Sequence, residues 1–232
     1  MLHIEDKMQH FSTNGGSTDS RGLKEILSSL SRTLPGSHVI FVYPDIMTVR
    51  KIYSSYIKEQ LDKNELVLFL PYYETVKSTK DVLSEFHDEQ DQKIDVQKYI
   101  REGSLLIIDS HEAFFNHEST GDFTKESVVG SLHNLRNNDG GNIVSLMRMV
   151  QTHCRKLSKD GVTILVDLGS FFNIGGVDYL LKYEKSVPQI FKDMNLKQLC
   201  LYHQLDFDNR FGVSEKAKIL DEHGRTLLML NA

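Results

Sequence analysis

The sequence predicts an α/β fold built on a mostly parallel sheet, and three observations lead there. Short unbroken apolar runs recur at His38–Tyr43, Leu66–Leu70, Ser104–Ile108, Val162–Val166 and Gln198–Tyr202. Continuous runs, unlike strict alternation, are what strands covered on both faces require. Segments of helical periodicity separate these runs, and Pro and Gly punctuate the junctions. The composition fits one large domain: 232 residues, 40% hydrophobic and 25% charged, which is average for a soluble globular chain and enough for a core without staples.

The elements follow in order. Residues 1–20 are polar, contain Asn14-Gly15-Gly16, and read as a flexible leader to a single domain over 21–232. Leu23, Ile26, Leu27 and Leu30 form one stripe of a helix over Gly22–Leu34, which Pro35-Gly36 ends. After the first strand, Pro44-Asp45 leads into a helix over Ile46–Leu61, and the second strand is stopped by Pro71. A helix over Thr75–Phe86 and a charged linker, His87–Lys93, precede the third strand. Residues 116–142 are polar and glycine-containing and read as a long surface segment. Helices over Ile143–Leu157, Val177–Met194 and Ser214–Glu222 alternate with the fourth and fifth strands, and Thr226–Leu230 closes the chain as a strand.

Composition also excludes function classes. The net charge is −5 and the basic residues are scattered, so a nucleic-acid surface, which needs clustered Lys and Arg, is not expected. Two cysteines, Cys154 and Cys200, do not make a disulfide framework. The first 20 residues lack an apolar signal region and no apolar stretch approaches 18 residues. The reading is cytoplasmic, with no membrane contact.

In parallel α/β sheets ligands bind beyond the carboxyl ends of the strands. The residues at those ends are Tyr43-Pro44-Asp45, Tyr72-Tyr73-Glu74, Asp109 to Glu112, Asp167 to Ser170 and His203-Gln204. Two strands, Leu105–Asp109 and Ile164–Asp167, end in Asp as a Walker B strand does, and such an Asp holds Mg²⁺ in nucleotide hydrolases. The phosphate loop itself, G-x-x-x-x-G-K-[ST], is missing: none of the 15 glycines is followed by Lys. The turn after the first strand carries Pro44, which removes a donor. It also carries Asp45, which competes with phosphate for the helix start.

Other catalytic patterns are absent. His111-Glu112 and His117-Glu118 match no established metal spacing, no G-x-S-x-G elbow occurs, and Cys154 and His153 are helix neighbours that point apart. No catalytic residue, metal or cofactor is therefore expected. Phe114, Phe115, Phe171 and Phe172 read as core, with a pocket lining as the alternative.

Segments His38–Tyr43, Tyr56–Leu68, Gly103–Leu105, Leu199–Tyr202 and Leu220–His223 resemble the MEDS family of sensory domains over roughly His38–Leu230. That family is similar to KaiC-type RecA folds without a phosphate loop. The resemblance implies a RecA-like three-layer sandwich and a sensory role, often beside DNA-binding or histidine-kinase modules. Asn64 stands where relatives commonly carry glycine.

The resulting expectation is a non-catalytic sensory or regulatory domain binding a small molecule or protein at the strand-end rim, through Tyr43, Asp45, Tyr72, Glu74, Asp109 and Asp167. Its output would pass to a partner such as a kinase or transcription regulator. One alternative is a degenerate nucleotide-binding ATPase using Asp109 or Asp167 with Mg²⁺. The other is a homo-oligomerisation module docking through the helix at Gly22–Leu34.

Overall fold

The computed structural model describes residues 8–13, 20–88, 91–115, 141–174 and 176–231. The surface segment expected over 116–142 lies outside them, apart from its last two residues.

The strands are β1 Met8–Thr13, β2 His38–Tyr43, β3 Leu66–Leu70, β4 Leu105–Ile107, β5 Val162–Asp167, β6 Lys197–His203 and β7 Arg225–Asn231. They form one seven-stranded sheet in the order β1-β7-β2-β6-β5-β3-β4. Every pairing is parallel, with Ile40 opposite Cys200 and Thr226, and Leu68 opposite Ile164 and Leu106.

Helices cover both faces, making three layers. On one face α1 (Ser20–Ser31), α2 (Ile46–Asp62) and α3 (Val76–Glu85) bury Ile26, Ile52, Tyr56 and Leu83 against Phe41, Tyr43, Phe69 and Leu201. Three longer helices of the second half, α6 (Gly141–Lys156), α8 (Gly176–Met194) and α10 (Val213–Glu222), lie on the other. They pack Val150, Leu180, Tyr183 and Ile219 on Ile40, Val42, Leu68 and Val166. Each central strand thus feeds alternate residues to two cores, which is why its sequence is apolar without a break. The architecture is a RecA-like three-layer sandwich. Among the described residues, no helix is long and apolar enough to cross a membrane.

Four short helices are present that periodicity does not predict: α4 (Val96–Arg101), α5 (Ser110–Phe115), α7 (Gly169–Ile174) and α9 (Gln204–Arg210). Each spans two turns or fewer, too little for an apolar stripe to register. Three of them, α5, α7 and α9, directly follow the carboxyl ends of β4, β5 and β6, so they build the rim. The segment expected as a leader contains β1, whose sequence Met-Gln-His-Phe-Ser-Thr is largely polar. It pairs in parallel with β7 along its whole length as an edge strand.

Asn64 closes helix α2. Helix α2 ends in a Schellman motif, in which Asn64 N–H donates to Leu61 O (3.0 Å) and Glu65 N–H to Gln60 O (2.9 Å). Asn64 takes φ +58°, a left-handed conformation that Asn and Gly adopt more cheaply than other residues. Its side chain adds what glycine lacks: Nδ2 donates to Asp160 Oδ2 at 3.1 Å and Oδ1 accepts from Lys159 Nζ at 3.0 Å. Asn64→Gly is therefore expected to stay within about 0.5 kcal/mol of the parent. Asn64→Ala should cost about 1–2 kcal/mol, read by urea denaturation.

Candidate functional site at the strand ends

The order of strands places the ends of β2, β6, β5 and β3 side by side, and with them Tyr43, His203, Asp167 and the Pro71-Tyr72-Tyr73 turn. At the centre lies Asp167, only 6% exposed. Its carboxylate accepts from Gly169 N–H at 3.2 Å, Tyr43 OH at 3.4 Å and Tyr73 N–H at 3.5 Å. All three bonds are long, so they compensate little of what desolvation costs a charge. Burial accordingly pushes the Asp167 carboxyl up to about 7, against these donors, with nearby Glu74 adding to the rise.

Beneath Asp167 the backbone is locked. Ser110 Oγ, fully buried at the start of α5, donates to Asp167 O at 2.8 Å and lies 2.8 Å from Ser170 Oγ. Above it stand aromatic rings. His203 meets Tyr43 edge-on at 5.3 Å between centroids and Tyr73 at 5.5 Å, while Tyr72 and Tyr73 are 5.0 Å apart. His203 Nδ1 accepts from Leu205 N–H at 3.2 Å, so any proton on the neutral ring sits on Nε2. Tyr72 OH is bonded by Asn173 Nδ2 of α7.

Gly169 lets these rings approach. A Cβ there would stand 2.4 Å from Tyr72 Cδ1 and 2.8 Å from Tyr73 Cζ and Oη. Gly169→Ala is expected to displace the Tyr72–Tyr73 pair and cost about 1–3 kcal/mol. The check is a thermal melt together with the tyrosine fluorescence of the folded protein.

The six residues expected at this rim take different parts. Tyr43, Tyr72 and Asp167 come together, with Tyr43 wholly buried and Tyr72 half-buried. Asp45 is the N-cap of α2: Oδ1 accepts from Thr48 N–H and Oδ2 from Thr48 Oγ1, both at 2.8 Å. In an active phosphate loop this helix start would face the anion; here the chain's own carboxylate occupies it. Glu74 is a brace, accepting from Arg50 Nε at 2.9 Å, Arg50 Nη2 at 2.7 Å, Tyr53 OH at 3.0 Å and Ser78 Oγ at 3.2 Å. Asp109 stands at the start of α5, its Oδ1 accepting from Glu112 N–H at 3.1 Å.

Sequence alone does not single out Asn173, and it shows Ser110 and Ser170 only as members of the rim, because their roles come from contacts between loops distant in sequence. Tyr73 and His203 were visible only as members of the rim. Phe114 and Phe171 are core, their centroids 4.7 Å apart, with Tyr183 5.1 Å from Phe171.

Three large apolar side chains remain exposed at the same end of the sheet: Met47 (61%), Tyr73 (38%) and Leu205 (64%). They follow β2, β3 and β6, three of the four strands whose ends lie side by side at the Asp167 site. Exposed apolar residues gathered around a polar centre are the general form of a binding surface.

Fold and site together define a RecA-like α/β chain whose first strand-to-helix turn is capped by carboxylate and whose strand ends present tyrosines around a buried Asp. No family model matches the chain, and no curated protein matches it in sequence.

Proposed function

We propose that the chain is a non-catalytic sensory domain, and that the rim around Asp167 is its ligand site. The observation that carries this reading is the pairing of a poorly satisfied, buried carboxyl with half-exposed aromatic rings, at the strand ends where parallel sheets bind ligands. The capped start of α2 argues against the nucleotide-hydrolysing alternative, since the turn offers a carboxylate and a proline where phosphate would need free N–H donors. The resemblance to the MEDS family supports the same reading, including output through a partner such as a kinase or transcription regulator.

The chemistry favours a small molecule with an apolar or aromatic body and one hydrogen-bonding group. Tyr72, Tyr73, Met47 and Leu205 supply apolar area, and Asp167, titrating near neutrality, accepts or donates the orienting bond. A thermal-shift screen of small metabolites tests this, because a ligand specific for the native state raises the melting temperature. Hits are expected to lose their shift in Tyr73→Ala. A broad screen without a single hit, or hits indifferent to Tyr73 and Asp167, would sink the reading.

A further inference from the structure

At the opposite end of the sheet, His38, Glu184, Cys200 and His223 converge from four elements: the first residue of β2, the middle of α8, the middle of β6, and the C-cap of α10. We propose that these four side chains form a closed site for one divalent transition-metal ion of the zinc class.

The donor atoms are gathered closely enough to share one ion. One donor atom from each residue lies within 4.8 Å of all the others. His38 Nε2 is 3.1 Å from Cys200 Sγ and 3.3 Å from Glu184 Oε2, and His223 Nε2 is 3.5 Å from the same oxygen. Donors on a tetrahedron around zinc, with bonds of about 2.0–2.3 Å, stand about 3.3–3.7 Å apart. All four residues are buried, at 4%, 0%, 0% and 1% exposure respectively.

The hydrogen bonding calls for a cation. His223 Nδ1 lies 2.7 Å from Ile219 O. A carbonyl only accepts, so Nδ1 carries a proton and the neutral ring turns its Nε2 lone pair toward Glu184 Oε2. His223 Nε2 is buried with no hydrogen-bond partner, and the atom it faces, Glu184 Oε2 at 3.5 Å, is itself an acceptor with His38 Nε2 3.3 Å away. Two acceptors facing each other out of contact with water are costly. A shared cation removes the conflict. A doubly protonated His223 would do so less well, because its ring stacks on His38 at 3.9 Å between centroids.

Three of the four donors are also held from behind, as metal ligands are. His223 is oriented by Ile219 O, Glu184 Oε1 accepts from Tyr202 OH at 2.5 Å, and Cys200 Sγ accepts from Gln198 Nε2 at 2.8 Å. The donor set, two imidazoles, one thiolate and one carboxylate, suits Zn²⁺ and its analogue Co²⁺ and disfavours Mg²⁺ and Ca²⁺. Charge balances without residue: two positive charges on the ion meet the Glu184 carboxylate and a Cys200 thiolate, whose proton leaves to solvent on binding. Surface clefts of about 500 Å³ beside Glu184 and 360 Å³ beside His38 border the site. Bound there, the ion would clamp α8 and the α10–β7 junction onto β2 and β6.

The test uses the full chain, stripped with a chelator and titrated with Co²⁺ and then Zn²⁺. One equivalent of Co²⁺ is expected to give the visible bands of a tetrahedral ion and a near-ultraviolet thiolate charge-transfer band, both displaced by Zn²⁺. The chain has only two cysteines, so Cys154→Ser must keep the charge-transfer band and Cys200→Ser must lose it. Gln198→Ala should weaken Zn²⁺ binding about 10- to 100-fold. If Cys200→Ser fails to fold, the Cys154→Ser spectrum alone decides. A folded chain that takes up no stoichiometric Co²⁺ or Zn²⁺, or a charge-transfer band that disappears in Cys154→Ser, overturns the proposal.

Discussion

Asp167→Asn is expected to flatten the dependence of stability on pH between about 4 and 7. The Asp167 carboxyl rises from its ordinary 3.8 to about 7 on folding, so the folded chain binds its proton more tightly than the unfolded chain does. Its contribution is complete below the unfolded value and is lost as pH rises through about 7. At 1.36 kcal/mol for each tenfold change in proton affinity, the difference is about 4 kcal/mol. Other groups titrate across the same range, so the quantity to measure is the difference between wild type and Asp167→Asn. Urea denaturation at pH 5 and at pH 8 should show wild type losing stability relative to the variant at the higher pH. The amide also loses acceptor capacity toward Gly169 N–H and Tyr73 N–H, which lowers the variant uniformly and leaves the slope unaffected. A difference that stays constant from pH 5 to pH 8 would show that Asp167 is ionised throughout, as an exposed aspartate is.

The second large effect lies at the foot of the sheet. Lys197 opens β6 and bonds both Glu65 Oε1 and, at 2.8 Å, Gln60 Oε1, while Glu65 Oε2 accepts from Thr163 Oγ1 at 2.5 Å. The side chains of Lys197 and Glu65 are 6% and 11% exposed. Removing one partner of such a pair leaves an uncompensated buried charge, and Lys197→Ala should cost about 3–5 kcal/mol. The double variant Glu65→Gln, Lys197→Met removes both charges and should recover most of that loss. A cost below about 1 kcal/mol for Lys197→Ala, the size seen for exposed pairs, would mean that water reaches the pair.

The fold was legible because its signal is local and repeated. Runs such as Val-Ile-Phe-Val and Leu-Val-Leu-Phe-Leu face two cores at once, and no other arrangement hides them so simply. The long helices α2 and α8 carry enough turns to show a stripe. What was not legible is either short or non-local. Two-turn helices such as α5 and α9 leave no periodicity, and the largely polar β1 carries no apolar run. At the rim, the sequence shows that Tyr43 and Asp167 end strands, but not that Asp45 spends both oxygens on Thr48 or that Glu74 is bound by Arg50. The cluster of His38, Glu184, Cys200 and His223 is spread over 186 positions of chain, so spacing gives no hint of it. Only the pairing of β2 with β6 and the seating of α8 and α10 bring it together.

On the reading proposed above, the strand-end rim takes a ligand other than a hydrolysable nucleotide. Its most direct test is a thermal-shift comparison of wild type, Tyr73→Ala and Asp167→Asn against a small-metabolite library and against ATP with Mg²⁺. Compounds with an apolar body and a polar anchor are expected to stabilise the wild type and not Tyr73→Ala, and ATP with Mg²⁺ is expected to give no shift. Stabilisation by ATP and Mg²⁺, with turnover abolished in Asp167→Asn, would contradict it.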